Sequence, residues 1–116
     1  MYEREAESYL LQQGLTLLAK NYHCRFGEID LIMLDKECLC FIEVKFRHSN
    51  AFGGTAYAIT PSKQRKIITT ALHFLSRNRR YEQSPFRFDA VFIQPSTQHC
   101  STQIEWIASA FEADME

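Results

Sequence analysis

Three charged side chains sit inside two stretches that otherwise read as buried β-strands. Asp30 stands within "GEIDLIML", and Glu43 and Lys45 stand within "FIEVKF". Ionised groups enter strands this apolar when they are paired with one another or gathered around a cation. Two carboxylates with a lysine beside them can hold a hard divalent ion such as Mg²⁺ or Mn²⁺ and assist attack on a phosphate.

Whether the three meet depends on the turn between the strands. Side chains alternate faces along a strand, so Glu43 shares a face with Lys45 and Asp30 with Glu28. If the strands are antiparallel and joined through Lys36-Glu37, residues whose numbers sum to 73 lie opposite each other. Asp30 then faces Glu43, and Glu28 faces Lys45, with opposed Cβ atoms about 4.5–5.5 Å apart. An odd loop length would send the acids to opposite faces. Two carboxylates at that range repel, which raises one pKa or demands a cation. On this reading Asp30 and Glu43 hold the metal, the Val44 carbonyl is a further ligand, and Lys45 orients or deprotonates the attacking water or neutralises charge on a phosphate. The plainer alternative is a buried ion pair of Glu43 or Glu28 with Lys45, holding register without chemistry.

The elements that must position these residues follow from local signals. Residues 2–13 read as a helix with Ala6, Tyr9, Leu10 and Gln13 on one face and Gly14 as its stop. Strands are expected at 16–22, 28–35 and 38–47, and "HSNAFGGTAYAIT" is a loop carrying Gly53-Gly54. Thr60-Pro61 is a cap followed by a first-turn proline, so a helix runs from there to about Asn78, with Ile67, Ile68, Ala71, Leu72, Phe74 and Leu75 facing the core. A strand follows at 87–94, where Arg87 and Asp89 share a face and can pair. Thr102-x-x-Glu105 has the form of a capping box, which predicts a short last helix carrying Trp106, Ile107, Ala110 and Phe111. The order αβββαβ plus a C-terminal helix describes a single α/β domain, residues 1–116, with a mixed sheet. A chain of 116 residues buries roughly two-thirds of its unfolded surface, enough for one core.

The net charge of −1 hides an asymmetry. Between Val44 and Tyr81 there is no acid, yet that span holds eight of the 13 Lys and Arg residues. Lys63, Arg65 and Lys66 open the second helix, where positive charge and free N–H groups suit a phosphate backbone. Arg47 ends the lysine strand, His48 lies just beyond it, and both could reach the same backbone. Phe52-Gly53-Gly54 reads equally as a lip over DNA or a plain connection, and Gly27 serves a backbone turn. Phe41, Phe46, Phe74, Phe88 and Phe92 read as core. The four cysteines, at 24, 38, 40 and 100, contain no CxxC pair, which argues against zinc. With no signal peptide and no bilayer-length apolar run, a reduced cytoplasmic location is expected.

Taken together, "NYHCRFGEIDLIMLDKECLCFIEVKFR", "FGG", "SKQRKI", "RFDAVFI" and the closing "IEWIASAF" resemble the YraN-like family of bacterial proteins. That family is a branch of the PD-(D/E)xK, restriction-endonuclease-like superfamily, which is similar to Holliday-junction resolvases. The resemblance spans nearly the whole chain. It implies a nuclease core, a central mixed sheet flanked by helices, and a metal-dependent endonuclease acting on DNA, branched or damaged structures included. A nucleic-acid-binding module that keeps the fold and cleaves nothing is the alternative. Carried over by position, Asp30 is the acid of the first half-motif and Glu43 and Lys45 form the E-x-K half. Glu3 matches the glutamate the family places on its first helix, and Lys63 a lysine of the family pattern. Two departures stand out. No proline precedes Asp30, and the chain starts two residues before Glu3, where the family usually has a few more. Relatives of the resolvase kind often dimerise, so a homodimer is an assembly the resemblance allows.

Overall fold

The "DKEC" hairpin sets the register on which the molecule is built. In the computed structural model, which describes residues 2–46, 59–95 and 102–113, strand β2 (Gly27–Asp35) turns through Lys36 and Glu37 into β3 (Cys38–Phe46). Lys36 takes a positive φ of 60°, the conformation a tight two-residue hairpin turn demands. The pairs run from Asp35↔Cys38 to Leu31↔Ile42, each summing to 73 as the turn parity predicts. The ladder ends there, one step short of Asp30 and Glu43.

Among the described residues five strands form one mixed sheet in chain order. Strand β1 (Thr16–Cys24) pairs antiparallel with β2, β3 pairs parallel with β4 (Phe86–Pro95), and β4 pairs antiparallel with β5 (Thr102–Phe111). Helix α1 (Tyr2–Gln12) precedes β1, and α2 (Pro61–Arg77) lies between the parallel strands β3 and β4. Parallel neighbours need such a crossover because a hairpin cannot reverse the chain twice.

Each sheet face buries its own cluster. Ala6 and Leu10 of α1 cover Leu31, Met33, Cys40, Ile42, Val91 and Ile93. On the other face Ile67, Ala71 and Phe74 of α2 cover Ile29, Ile32, Leu39, Phe41, Phe88 and Phe92. Phe41 stacks on Phe88 at 5.6 Å and Phe88 on Phe111 at 4.9 Å, so aromatic contacts carry the core through β3, β4 and β5. Phe46 is only half-buried, and Leu72 is 42% exposed and turns away from the core.

The C-terminal segment departs from expectation. Residues 102–111 form strand β5, not a helix, and Thr102-x-x-Glu105 caps nothing. The run Gln103-Ile104-Glu105-Trp106 alternates polar and apolar with period two, and the open edge of β4 takes it up. Ile104 and Trp106 pack on the α1 face while Ile107 and Phe111 pack on the α2 face. That division buries both apolar sets, which an isolated short helix could not do.

Asp89 holds the irregular part of this edge. The β4–β5 register slips between Phe88↔Phe111 and Ala90↔Ile107, and Ser109 sits in the slip with φ of 53°. The fully buried Asp89 accepts the Ser109 N–H at 2.9 Å, Trp106 Nε1–H at 3.0 Å, and Arg87 Nε–H at 2.9 and 3.1 Å. Arg87 Nη2 donates onward to Asp35 at 3.0 Å. Burial alone would lower the Arg87 pKa, but the bonds to Asp89 and Asp35 outweigh it and raise it. The Arg87–Asp89 pair expected from strand alternation is therefore present, as part of a structural network.

Candidate functional site

Alternation fails at Asp30. Leu31 and Met33 face α1 while Ile32 and Leu34 face α2, as a regular strand requires, yet Ile29 also faces α2. The phase of the strand slips between Ile29 and Leu31. On the neighbouring strand Asn21 lies between the pairs Lys20↔Leu31 and Tyr22↔Ile29 and takes a left-handed φ of 53°. Asparagine tolerates that conformation better than most residues.

The slip gives Asp30 a new partner. In a continued ladder Val44 would stand opposite Ile29 and bond to the β2 backbone. Instead the Val44 N–H donates to Asp30 Oδ2 at 2.8 Å. The carboxylate thus sits at the fork where β2 leaves β3, fixed by the backbone between Glu43 and Lys45.

Glu43 is 6% exposed and lies on the α2 side. Thr60 caps α2, its Oγ1 accepting the Lys63 N–H at 3.2 Å, and Pro61 occupies the first turn. The cap fixes the start of the helix so that Lys63 Nζ reaches Glu43 Oε2 at 2.9 Å. A cation in the first turn of a helix opposes the helix dipole, so a carboxylate is needed to hold it there. The hydrogen bond to Glu43 raises the Lys63 pKa, against a smaller lowering by burial.

Asp30 feels the opposite field. Its carboxyl is raised to about 7, by burial first and by Glu43 next, with the Val44 N–H offsetting part of the rise and Glu3 and Glu28 adding to it. Four acids from α1, β2 and β3 therefore act on one place. Glu3 stands in the first turn of α1, half-buried.

The site lies at one end of a domain with a wider kinship. The sequence profile of the uncharacterised protein family UPF0102 matches residues 2–93. The chain belongs to that family. A UPF0102 protein of Psychromonas ingrahamii is 53% identical over 111 residues, covering 95% of this chain and 85% of the relative. One from Saccharophagus degradans is 53% identical over 106 residues, covering 91% and 85%. One from Alcanivorax borkumensis is 40% identical over 112 residues, covering 97% and 89%. The YraN-like resemblance and UPF0102 are the same family.

Within this UPF0102 chain the remaining expected residues fall as follows. Lys45 is half-buried beside Phe92 of β4, and among the described residues no hydrogen bond or ion pair holds its side chain. The cation on Glu43 is Lys63, from a different element 20 residues away. Arg65 and Lys66 are exposed on the first turns of α2. Arg47, His48, the Phe52-Gly53-Gly54 stretch and Cys100 lie outside the described residues. Cys24, Cys38 and Cys40 are free thiols, and burial, followed by Asp89, pushes Cys40 up to about 12, so it is inert packing.

The donor chemistry suits a hard divalent cation. Asp30, Glu43, Glu3 and Glu28 offer oxygen donors only. Among the described residues no three His, Cys, Asp or Glu side chains form a ready-made ligand set. A cation here would therefore use two carboxylates and complete its shell with water and a backbone carbonyl, as Mg²⁺ commonly does.

Proposed function

We propose that this UPF0102 protein is a metal-dependent endonuclease that hydrolyses DNA phosphodiester bonds, on branched or damaged DNA in particular, with the restriction-endonuclease-like core that its α/β sheet allows. The observation that carries the reading is the Asp30–Glu43 pair, two carboxylates brought together at a strand fork with one of them pushed up to about 7. A structural role is better served by replacing such a pair, since uncompensated buried charge costs stability.

Mg²⁺ or Mn²⁺ held by Asp30, Glu43 and the Val44 carbonyl would supply Lewis acidity to the phosphate and the attacking water. Asp30 is oriented by the Val44 N–H, and Glu43 is positioned by Lys63. Lys45 orients or deprotonates the water, or neutralises charge developing on the phosphate. Glu3 supports the site from α1. Arg65, Lys66, Arg47 and His48 contact the DNA backbone, and Lys63 joins them when the divalent cation takes over its role on Glu43. No described helix is long and apolar enough to cross a membrane. The reading places the protein in the cytoplasm, acting alone or as a homodimer.

The Lys63–Glu43 pair favours a second reading, a nucleic-acid-binding module whose site has neutralised itself. Purified protein incubated with labelled flap, junction and nicked DNA in Mg²⁺ or Mn²⁺ separates the two. Cleavage that disappears in Asp30→Asn and in Lys45→Ala supports the nuclease. Salt-sensitive binding without cleavage across all substrates and metals supports the module. Cleavage undiminished in both variants removes this site from the chemistry.

A further inference from the structure

The turn between β1 and β2, Arg25-Phe26-Gly27, leans on α2 beside the acid site. Gly27 makes this possible: a Cβ there would stand 3.0 Å from Thr70 Oγ1 and 3.4 Å from Lys66 Cβ. The Phe26 N–H donates to Cys24 Sγ at 3.4 Å, which closes the turn. These contacts hold the Phe26 ring at the surface, 41% exposed. Together with Ser62, Arg65, Lys66 and Thr69 the ring lines an open depression of about 240 Å³. The Arg25 guanidinium lies over the same ring at 5.0 Å, and His73 meets it at a steep angle at 6.4 Å.

An exposed aromatic ring ringed by Arg25, Arg65 and Lys66 has the composition of a single-strand binding surface. Aromatic rings stack bases of any sequence, and neighbouring cations hold the backbone. The volume is below the roughly 300 Å³ at which clefts for drug-sized ligands begin, so it suits one ring system. Its position relative to the acids is also suitable. Lys66 lies one helical turn beyond Lys63, about 4.5 Å along the axis, and Lys63 touches Glu43. One nucleotide of a stacked strand advances about 3.4 Å, so the depression lies within a few nucleotides of Asp30 and Glu43.

We propose that Phe26, Arg65 and Lys66 form a subsite for one unpaired nucleotide, the base stacking on Phe26 and a flanking phosphate resting on Arg65 and Lys66. The proposal rests on the nucleic-acid reading of the acid site and narrows its substrate class. A base inside a duplex has both faces stacked and cannot use Phe26. A flap, bulge or junction with an unstacked base can, so the subsite selects DNA with an unpaired nucleotide close to the cut.

Fluorescence anisotropy of the whole protein in EDTA tests this without cleavage, using a labelled single strand and a blunt duplex. Phe26→Ala should weaken binding of the single strand about ten-fold while changing duplex binding less than about two-fold. Phe26→Trp should restore it, and 2-aminopurine fluorescence in the bound strand should be quenched only when position 26 is aromatic. Arg65→Ala should weaken both ligands and lower the slope of log affinity against log salt by about one. Equal loss on both ligands in Phe26→Ala, unchanged binding in that variant, or no binding of either DNA would overturn the subsite. Phe26-dependent binding without metal-dependent cleavage supports the subsite and removes the nuclease reading. Metal-dependent cleavage with Phe26-independent binding does the reverse.

Discussion

Lys63 Nζ lies 2.9 Å from Glu43 Oε2, so the acid of the E-x-K pattern is neutralised from α2 and not by the lysine two residues along its own strand. This leaves Lys45 for other work. It also makes Lys63 a competitor of any divalent cation for the same oxygen.

Replacing Lys63 with methionine should reveal that competition. The variant keeps the length and apolar stem of the side chain and removes the charge. Mn²⁺ affinity, read by titration calorimetry, should tighten about ten-fold, equivalent to about 1.4 kcal/mol. Without metal the same variant should lose about 1–2 kcal/mol in urea unfolding, because Glu43 is left buried and unpaired, discounted for the exposed Lys63 head group. Unchanged Mn²⁺ affinity would mean that Glu43 does not bind the ion.

Asp30 gives the metal-free protein an inverted pH dependence. Burial and then Glu43 raise its folded pKa from 3.8 to about 7. Between these values the folded state keeps a proton that the unfolded chain has lost. The associated stability is complete below about pH 4 and disappears as pH rises through 7. In EDTA the protein should therefore lose on the order of 2 kcal/mol between pH 4 and pH 8 from this group, a figure reduced for its partial exposure. Asp30→Asn can still accept the Val44 N–H, so it should flatten this slope and be the more stable protein at pH 8. Saturating Mg²⁺ should narrow the gap by stabilising the ionised carboxylate. Parallel urea-unfolding profiles for the two proteins across this range would exclude the raised pKa.

Local signals made part of this legible in the sequence. Thr60-Pro61 marks the start of α2 because cap and proline act within one turn. The Lys36-Glu37 turn fixes the 73 register because a hairpin loop determines the pairing of both its strands. The Lys63–Glu43 contact depends on how α2 crosses the sheet, which no spacing encodes. The phase slip at Asp30 depends on Asn21 in the neighbouring strand, and a period-two reading of β2 alone passes over it. The last strand was obscured because Thr102-x-x-Glu105 satisfies a helix rule locally, while the open edge of β4 and the carboxylate of Asp89 decide the matter from outside the segment.

Asp89→Ala tests that outside decision. It removes the acceptor for Ser109, Trp106 and Arg87 together and leaves a guanidinium largely buried without its main partner. The expected cost is about 3–5 kcal/mol, with β5 released from β4. Trp106 is the single tryptophan, so its emission should shift to the red and its near-UV circular dichroism should weaken. Asp89→Asn retains one acceptor oxygen but loses the negative charge that faces Arg87, and should fall between. Native Trp106 spectra in Asp89→Ala would show that apolar packing of Ile104, Ile107 and Phe111 holds the strand unaided.

Gly27 offers a separation of sterics from backbone conformation. In Gly27→Ala the new Cβ would stand 3.0 Å from Thr70 Oγ1, a distance at which the neighbour must give way, at a φ of +157° that adds strain for a residue with a side chain. Overpacking of this kind costs about 1–3 kcal/mol. Thr70 is fully buried and its hydroxyl donates to the Lys66 carbonyl at 2.8 Å within its own helix. Thr70→Ala removes the obstructing oxygen and should cost about 1 kcal/mol by itself. If the clash dominates, the double variant should be more stable than the sum of the two losses predicts, by about 1 kcal/mol or more in a double-mutant cycle. If the two losses simply add, the backbone conformation at Gly27 is the whole requirement, and the close approach of the turn to α2 contributes nothing to it.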